Sequence, residues 1–188
     1  MSFHVLIMNG PPLVGKDTLA LYAQSLNPQS RHVKLSSRLK LSVATLFDYP
    51  IELMETGKDD PQYIKYGKTI RDHQIALSES IKSVYGNDIY GRLLADRLLS
   101  MPMQTPYVIV SDLRLHEEFL PIVQALGAKR ITLLRLHQEG REWEAGTSFR
   151  YIEPGDSGVR TFDIDNPKGN REYAKVFVRG VVERIEQI

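Results

Sequence analysis

Phe3-His-Val-Leu-Ile-Met-Asn9-Gly10-Pro-Pro-Leu-Val-Gly15-Lys16-Asp17-Thr18 opens this 188-residue chain with an apolar run, a glycine-bracketed turn and the first residues of a helical pattern. The apolar stretch Phe3 to Met8, closed by Asn9-Gly10-Pro11-Pro12, predicts a strand buried on both faces. From Lys16 the period changes: Leu19, Ala20, Tyr22, Ala23 and Leu26 recur at helical spacing until Asn27-Pro28 ends the pattern. A turn between a strand and a helix can aim its backbone N–H groups at an anion, provided no side chains obstruct the approach. Gly10 and Gly15 meet that condition. The helix start adds unpaired N–H groups and a positive dipole end, and Lys16 adds a full charge. Gly10 to Lys16 therefore has the spacing and the context of a polyphosphate-binding loop, the Walker A pattern. Where that pattern has Ser or Thr after the lysine, this chain has Asp17, followed by Thr18. A carboxylate can hold Mg²⁺ directly or through water, or it can simply favour the helix start; both readings stay open.

Working outward, Tyr107 to Val110 and Ile131 to Leu136 predict two more strands, separated by a helix over His116 to Leu126 with Gly127 as its C-cap. His32 to Leu35 and Arg160 to Ile164 are weaker strand candidates, and Glu172 to Ile185 carries a helical apolar face. Alternating strands and helices imply an α/β fold with a parallel sheet. Residues 37–100 are mostly helical in pattern and 137–158 are glycine-rich without periodicity. One domain is expected, with a core at 1–36, 101–136 and 159–188, a helical insertion at about 37–100, and a lid at about 137–158.

Composition narrows the class. With 42% apolar residues the chain can bury a core unaided, and a formal charge of +1 supplies no field to draw it onto polymeric nucleic acid or an anionic membrane. The absence of cysteine excludes disulfides and thiolate chemistry and suits a cytoplasmic protein, as does an N-terminal apolar run too short for a leader or a span.

The remaining charged positions are judged by where strands end. Val108-Ile-Val-Ser-Asp112-Leu-Arg114 is an apolar strand ending in an acid and a base, and ligands of parallel sheets lie at the carboxyl ends of strands. Asp112 can orient the waters of Mg²⁺ and Arg114 can hold a phosphate, although a surface ion pair opening the next helix is the simpler alternative. Ser36 and Lys40 follow a strand, and Arg71 with Gln74 opens an amphipathic helix, where the planar guanidinium suits a bidentate phosphate contact; Lys40 and Arg71 read equally as solvated helix charges. Arg135, Arg141 and Arg150 surround Trp143 near the expected lid, where arginines can meet charge developing on a transferred phosphoryl group, although any one of them also reads as an ordinary surface arginine.

These segments, together with Ala125-Leu-Gly127-Ala128 and Asp165-Asn166, resemble bacteriophage deoxynucleoside monophosphate kinases and the related phosphomevalonate kinases, a branch of the adenylate-kinase-like P-loop kinases. Both relatives share the aspartate after the loop lysine. The resemblance implies a three-layer sandwich with a five-stranded parallel sheet in the order 2-3-1-4-5. It implies ATP and Mg²⁺ as cofactors, a deoxynucleoside monophosphate (dNMP) as acceptor, and a cytoplasmic setting, that of the host for a phage protein. By the same resemblance Gly10, Pro12, Val14, Gly15, Lys16, Asp17, Thr18 and Asn166 bind ATP, Asp17 and Asp112 the metal, and Ser36, Lys40, Arg71, Gln74 and Arg114 the acceptor. The catalytic cations would be Lys16, Arg114, Arg135, Arg141 and Arg150. Phe47, Tyr63, Tyr66 and Gln74 are candidates to contact the acceptor base, and a homodimer is compatible with the pattern.

Overall fold

A computed structural model describes residues 3–102, 104–143, 145–147, 149–167 and 172–187; within the expected lid, 144 and 148 therefore lie outside the described residues. Five strands, β1 (His4–Asn9), β2 (Arg31–Val33), β3 (Tyr107–Val110), β4 (Ile131–His137) and β5 (Arg160–Asp165), form one parallel sheet in the order β2-β3-β1-β4-β5. This is the expected order. β1 lies at the centre, pairing with β3 on one side and β4 on the other, which is why each of its residues is buried.

The two-residue alternation of a strand sorts β1 onto two cores. Val5 and Ile7 face α5 (Ile89–Leu99) and α6 (His116–Leu126), packing with Leu94, Leu98, Phe119 and Ile122. Leu6 and Met8 face α1 (Lys16–Leu26) and α7 (Glu172–Glu186), packing with Leu19, Ala23, Val178 and Val182. α5 falls within the stretch read as an insertion, yet its apolar face packs on the sheet. Gly91 lets it approach α6, because a Cβ there would stand 2.1 Å from the Glu118 carbonyl oxygen.

Between β2 and α5, helices α2 (Ser37–Phe47), α3 (Leu53–Thr56) and α4 (Ile70–Tyr85) build a separate small core of Val43, Ala44, Tyr49, Met54 and Ile70. α4 starts on a reciprocal capping box between Thr69 and Asp72, the firmest local signal in this region. Phe47 stacks on the buried His73 ring at 3.8 Å, so that histidine is structural. No helix among the described residues is long and apolar enough to cross a membrane.

Candidate active site

The loop after β1 is shaped by close approaches on both sides. A Cβ at Gly10 would lie 2.7 Å from the Leu136 carbonyl of β4; Gly15, at φ 96°, leaves no room either, with Asn166 Nδ2 at 2.6 Å from a built Cβ. Leu13 adopts φ 63° with its side chain 78% exposed, a strained conformation of the kind that collects at ligand-binding loops. Asn166 props the loop by donating to the Val14 carbonyl at 2.6 Å, while its buried Oδ1 has no partner among the described residues. Lys16 folds over the loop and donates to the carbonyls of Gly10 (2.5 Å) and Pro11 (2.6 Å). Burial, and then the charge of Arg114, lower its pKa to about 8, so a cation is held where water solvates it poorly and an anion would be welcome.

In front of this loop opens a cleft of about 570 Å³. Its floor carries Pro12, Gly15, Lys16, Asp17 and Thr18 from the loop and helix start, and Ser111, Asp112 and Arg114 from the end of β3. The opposite wall carries Ser36, Leu39 and Lys40 from the α2 region, Glu55 and Lys58, and one face of α4: Arg71, Gln74, Ile75, Ser78, Glu79 and Lys82. Those α4 positions recur every three or four residues, so the stripe runs for about 16 Å along the helix. Thus Ser36, Lys40, Arg71, Gln74 and Arg114 share one cleft with the phosphate-binding loop, although they are scattered over most of the sequence.

Three sequence candidates stand elsewhere. Arg135 is bound bidentately to Asp163 (3.0 and 2.7 Å) and also to Glu153 (2.7 Å), and it does not line the cleft. Arg141 borders a second hollow of about 390 Å³ with His137, Trp143, Tyr151 and Asp165. Arg150 is exposed, and its N–H reaches the Arg114 carbonyl at 3.5 Å. Of the proposed base contacts only Gln74 lines the cleft. Phe47 and Tyr63 are spent on the insertion core, Tyr66 is 86% exposed, and the aromatic side chains that do face the cleft are Tyr90 and Phe149. Phe149 lies under the Arg114 guanidinium at 5.2 Å.

The two acids differ. Asp112 accepts from the N–H of Leu35 (2.7 Å) and from the N–H and hydroxyl of Ser36 (2.9 and 2.7 Å), which pins the turn that starts α2. Asp17 accepts from the Ser111 hydroxyl at 2.7 Å and from Lys34 at 2.9 Å. Burial works against the Asp17 charge but is outweighed by those two donors, and its pKa is lowered. For Lys34, burial is likewise outweighed by Asp17 and Glu55, and its pKa is raised. His32 in turn contacts Ser111 at 2.8 Å. Mg²⁺ suits this donor set: Asp17 and Thr18 are hard oxygen groups at the loop, Lys34 already places positive charge on Asp17, and Mg²⁺ needs only one or two protein carboxylates beside phosphate oxygens.

Several cleft residues escaped the sequence reading. Lys34, between Val33 and Leu35 at the end of a short strand, and Lys58, in a polar turn, are single lysines and carried no signal. Glu118 did carry one, since it occupies the apolar stripe of α6 with Leu115, Phe119, Ile122 and Leu126. It is 6% exposed, and burial pushes its pKa up to about 7 against the pull of Lys82. Asn9, at the end of β1, bonds the Leu113 carbonyl and the Ile152 N–H (both 3.0 Å), tying the Arg114 loop to the base of the 137–158 segment.

No protein-family model and no curated protein matches the chain. Solved structures do. A protein described as a kinase from Chloroflexus aurantiacus J-10-fl aligns over 99% of this chain and 95% of its own, at TM-score 0.50 and 12% identity. The chain shares that protein's fold, an α/β architecture around a five-stranded parallel sheet in the order 2-3-1-4-5. Weaker similarities, at TM-scores of 0.47 and 0.41, are to a gluconokinase from Sinorhizobium meliloti 1021 (11% identity, 98% of this chain and 95% of that one) and a sugar kinase from Janibacter sp. HTCC2649 (14%, 100% and 91%).

Proposed function

We propose that the protein transfers the γ-phosphoryl group of ATP to the phosphate of a small molecule, with a deoxynucleoside monophosphate as the preferred acceptor. The observation that carries this reading is the one cleft shared by the loop, Lys16 and Arg114 on its floor and by Lys40 and Arg71 on its wall. ATP would lie along the loop amides with Lys16 on its phosphates. Arg114, with Phe149 beneath its guanidinium, lines the same cleft floor as Lys16, where it can neutralise charge shared by donor and acceptor. Asp17 would hold Mg²⁺, whose role is to neutralise the polyphosphate, while Asp112 keeps Ser36 and the start of α2 in place. The attacking oxygen of a phosphate acceptor is already ionised, so positioning and charge neutralisation suffice and no general base is needed.

Phosphomevalonate offers the same phosphate and is the nearest alternative. A hydroxyl acceptor, as the descriptions of the gluconokinase and sugar-kinase neighbours would suggest, is a second reading favoured by Glu118, a buried cleft carboxyl with a pKa near that of a working base. Coupled measurement of ADP release over dNMPs, NMPs, phosphomevalonate, gluconate and simple sugars separates them. Turnover with dNMPs alone is the expected result, and turnover only with a hydroxyl acceptor would replace the phosphate reading.

A further inference from the structure

The acids of the short segment around α3 are placed unusually. Glu55 is half exposed in the cleft, yet three ammonium groups surround its one carboxylate: Lys40 bonds it directly, Lys34 stands at 3.7 Å and Lys58 at 3.8 Å. Four residues on, Asp59 engages the Arg71 guanidinium in the two-point manner of a carboxylate or phosphate. Other acids stand close by, with Asp17 at 2.9 Å from Lys34 and Asp59 near Lys58, but Glu55 is where the three ammonium groups converge within 3.8 Å. A point in an open cleft where three ammonium groups meet one carboxylate is also a point that a phosphate monoester dianion can occupy.

We propose that Lys34, Lys40 and Lys58 form the seat of the acceptor's phosphate, which Glu55 fills until substrate arrives, with Lys34 joining that seat to Asp17 at the donor end. This deepens the reading above and rests on it for the identity of the acceptor. Lysine suits the shared position, because its ammonium is a point charge on a flexible stem and can turn from one anion to another without a fixed fork geometry. With metal on Asp17, Lys34 is released from that carboxylate and turns wholly to the acceptor. Without metal, it remains the cation that separates Asp17 from the triphosphate. Donor and acceptor sites are thereby coupled through one side chain.

The test removes the internal competitor. Inorganic phosphate and a panel of phosphate monoesters, dNMPs among them, are titrated calorimetrically into ATP-free wild type and Glu55→Gln. All should bind the variant about three- to tenfold more tightly, the range expected when half-exposed ion pairs no longer have to be displaced. Unchanged or weaker phosphate binding overturns the seat. Lys34→Met should weaken phosphate and metal-free ATP while leaving MgATP affinity within about twofold of wild type; an equal loss for ATP with and without magnesium overturns the link to Asp17. The two levels of inference fail differently. If Glu55→Gln tightens inorganic phosphate while dNMPs neither bind better than phosphate nor turn over, the seat stands and the deoxynucleotide reading falls. If dNMPs turn over but Glu55→Gln tightens nothing, the reverse holds.

Discussion

The floor and the far wall of the cleft are built from different materials. The floor is backbone held by the sheet: Gly10 against a β4 carbonyl, Gly15 against Asn166, and both core faces of β1 beneath. The wall is long side chains held by one another, with Lys34, Lys40, Lys58 and Arg71 paired to Glu55 and Asp59 at side-chain exposures of 18–59%. A backbone cradle is pre-organised because moving it would cost packing. Ion pairs in water-accessible positions contribute little each and rearrange readily. The loop side of the cleft is thus fixed in advance, whereas the lysine side can rearrange around whichever anion is present.

The largest effect is expected of Lys16→Met, on the rigid side of the cleft. ATP binding and turnover should fall by about a thousandfold, as for loss of a principal charge-stabilising donor, while the thermal midpoint at pH 7 holds or rises. The sign follows from linkage. The folded Lys16 pKa of about 8 lies below its ordinary 10.5, so its burial opposes folding at neutral pH, and that penalty is relieved only as pH rises from 8 towards 10.5. A large loss of stability would mean that the loop depends on the Lys16 bonds to Gly10 and Pro11.

Glu118→Gln probes the buried corner between floor and wall. A carboxyl whose pKa is raised from 4.5 to about 7 stays protonated on folding, so its contribution is present at low pH and is lost as pH rises through 7. The amide mimics the protonated form. Wild type and variant should therefore melt alike below about pH 4, part company as pH rises from 4.5 to 7, and by pH 8 the variant gains up to about 3 kcal/mol. A variant that is less stable at pH 8 would show that Lys82 and the helix start hold the carboxylate charged. Gly91→Ala, by contrast, should cost about 2 kcal/mol in denaturant unfolding, because α5 must retreat from the Glu118 carbonyl. A neutral effect would show that even the sheet side of the cleft yields.

The smallest effect expected is at the wall. Arg71→Ala should raise the acceptor KM about tenfold, with MgATP affinity unchanged, since its guanidinium is half exposed and already paired in the empty cleft. An unchanged acceptor KM would place Arg71 with the structural ion pairs.

Much of the fold was legible in the sequence because its signals are local. α1 and α6 begin and end where the period and the Asn27-Pro28 and Gly127 breaks put them, and β3 matches its four apolar residues. The second strand was harder: Arg31–Val33 is three residues at the sheet edge, with one residue buried, so hardly any apolar pattern marks it. Among the candidate site residues, those bound to the loop motif or to the end of a strand could be placed from the sequence. Those defined by a partner could not. Nothing near Arg135 announces that Asp163 and Glu153 occupy it, and nothing near Asp112 shows its carboxylate turned to Leu35 and Ser36.

By itself the sequence determined the alternation of strands and helices, the glycines of the loop and the charge of Lys16, because periodicity, backbone freedom and side-chain ionisation are properties of neighbouring residues. Which cations share the cleft with the loop, which acids hold them, and the burial of Glu118 follow from the packing of distant segments. Those facts depend on distances between residues far apart in the chain, and they exist only once the sheet and the α4 wall have closed around one cleft.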